Sequence, residues 1–236
     1  DDVDTIAGIS CESCHGAGAD YLKVHSTFSG KKKGEETKEE VAKRWAAAEA
    51  GGMIRPHNIY AWAKNCYSCH VVPQEKLVNE GGHKAGSAFE LVAWSQGEIR
   101  HNNWYTGGKE NRQATLEEKR KMYVIGTAVE LEIALRAVGK STQKATYAVS
   151  MAKRAAAAKK VMEQVAGALK LPELDAIVEA QKGARLRLNN EPELAAAADK
   201  IGAAIQEFAG KYDGSKLAAI DPLLPGEDKY KGKPAQ

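Results

Sequence analysis

Two pentapeptides of the same pattern contain every cysteine of this 236-residue chain. They read Cys11-Glu12-Ser13-Cys14-His15 and Cys66-Tyr67-Ser68-Cys69-His70, and both fit C-x-x-C-H. Two thiols three residues apart lie on one helical turn and can add to the two vinyl groups of one porphyrin, while the adjacent imidazole binds the iron. The pattern therefore predicts two covalently bound haem c groups. Their attachment residues would be Cys11, Cys14, Cys66 and Cys69, and their proximal iron ligands His15 and His70.

A different chemistry is open to a single C-x-x-C pair, which can be half of a zinc site or a thioredoxin-like redox pair. Here the motif occurs twice, each copy is followed by histidine, and no cysteine is left for a disulfide or a nucleophile. This complete use of cysteine favours haem attachment.

The sixth ligand of each iron has to come from elsewhere in the chain. Three of the four methionines, at helical core spacing, lie in the second half of the chain. The fourth, Met53, lies near the haem motifs beside a predicted helix end, and we expect it to have a packing role. An excess of imidazole over nearby thioether predicts bis-histidine ligation, which lowers the reduction potential relative to a histidine–methionine pair. The four candidate distal ligands are His25, His57, His83 and His101.

Reach along the chain ranks these candidates. His25 follows His15 by ten residues, and a helix of that length spans about 15 Å, so it points away from its own iron more easily than it returns. We expect His25 to bind the haem of His70, and His83 to bind the haem of His15. The pair Gly81-Gly82 before His83 would let the backbone approach a flat ring.

The other two histidines remain alternatives. His101 follows the end of a predicted helix and is the leading substitute for either position. His57 lies thirteen residues before His70, at the start of what reads as one helix, and is slightly less favoured. Which two of the four bind iron is left open by the spacing alone.

The chain changes character near the polar stretch 106–111. All four tryptophans and all six histidines lie in the first 110 residues, and the rest is rich in Ala, Leu, Lys and Glu. The first 110 residues carry 13 Lys+Arg against 15 Asp+Glu, whereas residues 111–236 carry 21 against 16. We predict a dihaem domain over 1–110, an Ala-rich helical bundle over 111–220 and an extended tail over 221–236.

Helix signals dominate, and few stretches alternate with period 2. Capping boxes at Thr37 and Thr115 begin two helices, and further helices are expected from Pro56 into the second motif and over about 87–99. In the second half, Ser141, Pro172 and Asn190 are expected to begin three more helices. The prediction is an all-α fold with little regular sheet, in which an antiparallel bundle follows the dihaem domain.

The first motif and its surroundings resemble the cytochrome c554 family of multihaem electron carriers. In that family C-E-S-C-H-G-P-G is followed by a later histidine that binds a neighbouring haem; here the sequence runs Cys11 to Gly18, with His25 beyond. The segment from Asn65 to His70, with Gly81-Gly82-His83 downstream, is similar to members of the group. The resemblance covers about residues 5–105 and implies His25 as a ligand of the other haem. The tetrahaem members have two more motifs and a proline at the position of Ala17.

Electron transfer between redox partner proteins is the expected function, without an enzymatic step. The alternative is a haem enzyme or gas-binding protein in which one five-coordinate iron acts on a nitrogen compound or peroxide, although dihaem peroxidases would separate their motifs by more than 55 residues. Partners would be other cytochromes or a membrane-bound oxidoreductase, not nucleic acid, and the helical half could support an oligomer. Because haem is attached outside the cytoplasm, we expect a periplasmic or extracellular protein whose signal peptide has been removed.

Overall fold

The structure is a computed structural model that describes residues 9–102 and 111–233, and it is built from helices. Within these residues there is no strand, and the β-type pairing is an isolated antiparallel bridge between Val71 and Gly86. The predicted all-α fold class is confirmed at this level. Across the same residues, every helix is too short or too polar to cross a membrane.

Ten α-helices occur in the described residues. They are α1 (Cys11–His15), α2 (Leu22–His25), α3 (Lys38–Ala50), α4 (Ile59–His70), α5 (Glu75–Asn79), α6 (Leu91–Ser95), α7 (Leu116–Lys140), α8 (Thr146–Leu169), α9 (Pro172–Lys182) and α10 (Glu191–Lys211). Short 3₁₀ turns occupy Gly18–Asp20, Phe28–Gly30, Arg100–Asn102, Ala218–Leu223 and Glu227–Lys229.

The chain divides into two compact units, Asp1–Trp62 and Ala63–Gln236. This division falls inside α4, earlier than the compositional change near 106–111, most of which lies outside the described residues. Its physical reason is visible at Gly126 of α7, where an added Cβ would lie 2.9 Å from the Cβ of Leu91 in α6. Residues 63–102 thus pack with the Ala-rich helices. The compositional boundary and the packing boundary differ.

Both predicted capping boxes are confirmed. Thr37 Oγ1 accepts from the Glu40 N–H at 3.3 Å, and Glu40 Oε2 accepts from the Thr37 N–H at 2.8 Å. At α7, the Glu118 N–H and Thr115 Oγ1 are 3.3 Å apart, and the return bond from the Thr115 N–H is 2.7 Å. These reciprocal bonds satisfy N–H groups that a helix start leaves without partners.

The helix starts at Pro172 and Asn190 are also confirmed, but the expected start at Ser141 is wrong. Ser141 ends α7: its hydroxyl donates to the Ala137 carbonyl at 2.9 Å. Helix α8 begins only at Thr146. A serine that bonds back to the previous turn closes a helix as well as one that bonds forward opens it, and local sequence does not distinguish the two.

The helix expected over 87–99 is shortened to α6, Leu91–Ser95. The Glu90 carboxylate accepts from the backbone N–H groups of Val92 at 3.0 Å and Ala93 at 2.6 Å, which makes Glu90 the N-cap. Ser87 lies outside this helix, and its N–H donates to the His70 carbonyl at 3.1 Å. The residues before Glu90 are thus paired with the end of α4 instead of extending α6.

The long helices pack against one another in the second unit: α7 contacts α8 and α10, and α9 contacts α8 and α10. Their facing side chains are apolar, and the three methionines at helical core spacing are buried as expected. These are Met122, Met151 and Met162. Glu132 of α7 is fully buried, and its carboxylate is neutralised by Lys64 at 3.0 Å and Arg136 at 2.9 Å.

The predicted tail over 221–236 is not simply extended in its described part. It contains 3₁₀ turns, and Asp221 accepts from the Arg120 guanidinium at 2.6 and 2.7 Å. Lys231 donates its N–H to the Ala93 carbonyl at 3.0 Å and accepts from the Glu98 N–H at 2.9 Å. The prolines correctly indicated a segment without a regular α-helix. Its place against α6 and α7 is set by long-range hydrogen bonds, which the prolines could not indicate.

Candidate haem-attachment sites

The first C-x-x-C-H motif forms helix α1 in the first unit. Ser10 is the N-cap residue, and its N–H donates to Ser13 Oγ at 3.2 Å. Cys11 is exposed and Cys14 half-buried. Glu12 Oε1 accepts from the Gly18 N–H at 2.6 Å and holds the chain where it leaves the helix. The motif is thus presented at the surface by one helical turn.

His15 is held at two points by Ile54, a residue far away in sequence. The Ile54 N–H donates to the His15 carbonyl at 2.8 Å, and the His15 Nδ1–H donates to the Ile54 carbonyl at 3.1 Å. Because a carbonyl oxygen only accepts, Nδ1 carries the proton and Nε2 has its lone pair available. This is the tautomer that an iron-binding imidazole requires.

A glycine makes this close approach of two backbone segments possible. Gly16 has φ +82°, in the left-handed region, and a Cβ there would lie 2.5 Å from the Gly52 carbonyl oxygen. Other residues are strained at this φ and would collide with the neighbouring segment. Gly16 therefore allows the segment that carries Ile54 to reach His15.

The second motif forms the C-terminal end of α4, with Cys66 half-buried and Cys69 exposed. His70 stacks on Phe89, with ring centroids 4.1 Å apart, and Trp94 lies 4.9 Å away at a tilt. Burial lowers the pKa of the His70 imidazole, and the positive charge of Arg154 lowers it further. The neutral form, which is the one that binds metal, is favoured.

His70 is also held at two points by one residue, here Ser87. The Ser87 N–H donates to the His70 carbonyl at 3.1 Å, and Ser87 Oγ lies 2.6 Å from His70 Nδ1. The arrangement matches that of Ile54 at His15, except that a side-chain hydroxyl replaces a main-chain carbonyl. We call each of these double contacts a two-point clamp.

Gly86 has the role in the second clamp that Gly16 has in the first. A Cβ on Gly86 would lie 2.5 Å from the His70 carbonyl oxygen and 3.2 Å from Arg154 Nη2. The adjacent Val72 N–H donates to the Ala85 carbonyl at 3.2 Å. Absence of a side chain at Gly86 is thus needed for the chain to pair closely with the end of α4.

The residues present fit a covalently bound haem at each motif. All four cysteines lie in the described residues and none forms a disulfide. With Ser87 Oγ accepting from Nδ1–H, both motif histidines keep Nε2 for a metal. Near His70, the buried Trp94 Nε1–H has no hydrogen-bond partner among the described residues, and an acceptor on a bound group would satisfy it. Such a buried, unpaired donor costs about 1–3 kcal/mol.

His25 and His83 share the orientation of the motif histidines. His25, half-buried at the end of α2, donates from Nδ1–H to the Tyr21 carbonyl at 3.2 Å. His83, exposed after α5, donates from Nδ1–H to the Lys84 carbonyl at 2.7 Å. In both residues Nε2 keeps its lone pair. The left-handed φ of Gly82, +69°, turns the chain after α5.

His57 and His101 are placed differently. The His57 side chain is 57% exposed, and its Nε2 lies 3.4 Å from a carboxylate oxygen of Glu49. His101 lies exposed in a 3₁₀ turn. The expected helix start at His57 is displaced, since α4 begins at Ile59. An Nε2 facing a carboxylate is less suited to bind iron than one that faces no acceptor.

Two largely buried carboxylates, Glu90 and Glu130, lie near the second motif. Burial raises the pKa of Glu90 to about 7, against the opposing effect of its two backbone hydrogen bonds. Burial also raises the pKa of Glu130, although Arg154 lies 2.8 Å away and favours its charged form. The charges near His70 therefore come from α6, α7 and α8 together.

Sequence reasoning identified the motif residues but not the residues that orient them. Ile54, Ser87 and Arg154 have no spacing relation to C-x-x-C-H, and Ile54 acts through its main chain. The glycine in Gly86-Ser87 was the one available signal, because an isolated glycine often marks close backbone contact.

Comparisons with protein-family models, with curated proteins and with solved structures found no match. Within residues 9–102 and 111–233, no group of three or more His, Cys, Asp or Glu side chains is arranged to hold a metal ion.

Proposed function

We propose that this protein is an electron-transfer cytochrome that carries two haem c groups. One would be attached at Cys11 and Cys14 with His15 as proximal ligand, the other at Cys66 and Cys69 with His70. The observation that carries the proposal is the repeated two-point clamp, since both motif histidines bond through Nδ1 and through their carbonyl to a single downstream residue. Hydrogen bonds to the ring nitrogen that does not bind the metal orient imidazole ligands.

When bound, each haem would supply one-electron Fe(III)/Fe(II) chemistry. The residues of the chain have the simpler tasks of attachment and orientation. The thiols would fix the position of the ring edge, and the clamps would orient the plane of each imidazole; at His15 the carbonyl acceptor also fixes the tautomer. The aromatic rings of Phe89 and Trp94 pack beside His70 and exclude water from one side of it.

For the distal positions we propose His25 and His83. Their Nδ1–H groups donate to carbonyls at 3.2 and 2.7 Å, which keeps Nε2 for a metal. We retain from the sequence the assignment of His25 to the haem of His70 and of His83 to the haem of His15, with His101 as substitute. His57 becomes the weakest candidate because Glu49 faces its Nε2.

The helical half would serve as a scaffold for the second haem. We propose that α7 to α10 form an antiparallel bundle, since the loops between them are short and each contacts two of the others. We place the protein in the periplasm or outside the cell, where it would exchange electrons with other cytochromes or a membrane-bound oxidoreductase. The more basic second half could bind an acidic partner or pair with a second copy.

Intact mass of the purified holoprotein tests the attachment. The measured mass should exceed the polypeptide mass by two haem groups. Cys14→Ser and Cys69→Ser should each disturb one attachment only. A wild-type protein without bound haem would refute the proposal.

The matched variants His25→Ala and His57→Ala then separate the ligand candidates. Loss of His25 should convert one haem to high spin and allow CO to bind, whereas loss of His57 should leave both low-spin. Rapid CO binding by the wild type would instead indicate the open iron of an enzyme or gas-binding protein.

A further inference from the structure

Arg154 of α8 connects the second clamp to a half-buried carboxylate. Its Nη2–H donates to the Ser87 carbonyl, and its Nη1–H donates to Glu130 Oε1 at 2.8 Å. The two side chains of this ion pair are 16% and 24% exposed. A guanidinium can make both bonds at once because its donors form a rigid fork.

The first clamp needs no such support. At His15 the acceptor is the Ile54 carbonyl, whose direction is set by the backbone. At His70 the acceptor is a hydroxyl on an exposed serine, and its distance from Nδ1 depends on where the backbone of Ser87 lies. Arg154 holds that residue through its carbonyl, and Gly86 leaves the room that the guanidinium occupies.

Arg154 also places a positive charge beside His70. A nearby cation favours the reduced, less positive iron. A hydrogen-bond acceptor on Nδ1–H has the opposite effect: it makes Nε2 a stronger electron-pair donor to the iron, which favours the oxidised iron. Glu130 on α7 and Glu90 on α6 oppose the charge of Arg154, and the buried Tyr67 of α4 lies in the field of all three. The reduction potential of an iron bound by His70 thus depends on charged side chains. At His15 the corresponding contact is with main-chain atoms only.

We infer that Arg154 is a positioning residue that orients His70 through Ser87 and sets the reduction potential of the haem bound there, so that the two haems differ. The inference rests on the proposed function, because it requires haem at His70. It deepens that function by naming the residues through which the chain would separate two otherwise similar redox centres.

A spectroscopic redox titration of the holoprotein, with haem content measured by mass for every variant, tests this inference. Arg154→Gln should lower the potential of one haem and change its low-spin EPR signal, while the other haem stays as in wild type. Ser87→Ala should raise the potential of the same haem, and Ser87→Thr, which keeps the hydroxyl, should restore the wild-type value. Arg120→Gln is the control: it removes another arginine–carboxylate pair of the second unit, with Asp221, and should shift neither potential.

The inference is overturned if Arg154→Gln leaves both potentials unchanged, if both haems shift alike, or if Ser87→Thr shifts the potential as far as Ser87→Ala. Should Arg154→Gln fail to fold, Arg154→Lys decides, because it keeps the charge but not the fork. An upward shift in the direction of that of Ser87→Ala, with an altered EPR signal, supports the positioning role, and wild-type behaviour refutes it. Two bound haems with unaltered potentials would contradict only this inference, whereas a wild type without haem would contradict the proposed function as well.

Discussion

Substituting alanine for Gly86 should damage the second motif specifically. The new Cβ would lie 2.5 Å from the His70 carbonyl oxygen, and that contact is with backbone, so no flexible side chain can move aside. The segment 85–87 has to retreat from the end of α4. In doing so it loses the Ser87 N–H bond to His70 and the Val72 N–H bond to Ala85, now 3.1 and 3.2 Å.

The cost follows from those two bonds. Each backbone hydrogen bond contributes about 1 kcal/mol net, so the free energy of unfolding of the second unit should fall by about 2 kcal/mol. In a unit of this size 1 kcal/mol corresponds to roughly 2–4 °C in Tm, which gives a decrease of roughly 4–8 °C. The retreat also removes Ser87 Oγ from His70 Nδ1, so the ligand field of one haem should change.

Thermal unfolding followed by circular dichroism, together with the low-spin EPR spectrum, measures both effects. Gly167→Ala is the control, since Gly167 is an exposed residue inside α8 with nothing within 4 Å of its Cβ position. That change should stabilise the protein by about 0.5–1 kcal/mol because alanine favours helix. If Gly86→Ala retains the wild-type Tm and spectrum while Gly167→Ala is stabilised, the close approach to His70 is wrong.

Three further outcomes are expected. Because burial raises the pKa of Glu90 from its ordinary 4.5 to about 7, the folded state holds a proton that the unfolded state has released, and the free energy of unfolding should fall by up to about 3 kcal/mol between pH 4.5 and 7. Urea titrations across that pH range should show this fall in wild type and not in Glu90→Gln. If the free energy of unfolding changed equally with pH in both proteins, the raised pKa of Glu90 would be contradicted. Gly16→Ala, whose Cβ would meet the Gly52 carbonyl oxygen at 2.5 Å, should perturb the haem of the first motif in optical spectra and leave the second unchanged. Thr115→Ala should lower the free energy of unfolding in urea by about 1 kcal/mol through loss of the α7 cap, whereas Thr115→Ser should retain most of it.

Local patterns along the chain predicted most of the helices. The capping boxes at Thr37 and Thr115, the proline at Pro172 and the cap at Asn190 all begin helices where expected, because a cap depends on residues three or four positions apart. The two C-x-x-C-H motifs are local in the same sense. The haem attachment and proximal ligation that we propose need residues within one helical turn, and the sequence alone determines that arrangement.

Contacts between distant segments decided the rest. Ser87 could not be recognised as part of the second motif, nor Ile54 as part of the first, because each reaches its histidine from 17 or 39 positions away. The packing of α6 against α7 in turn places residues 63–102 with the Ala-rich helices, so that the boundary between the two units lies inside α4 rather than at the change of composition. Which groups orient an imidazole, and which charges surround it, depends on the packing of helices whose pairing no local pattern encodes.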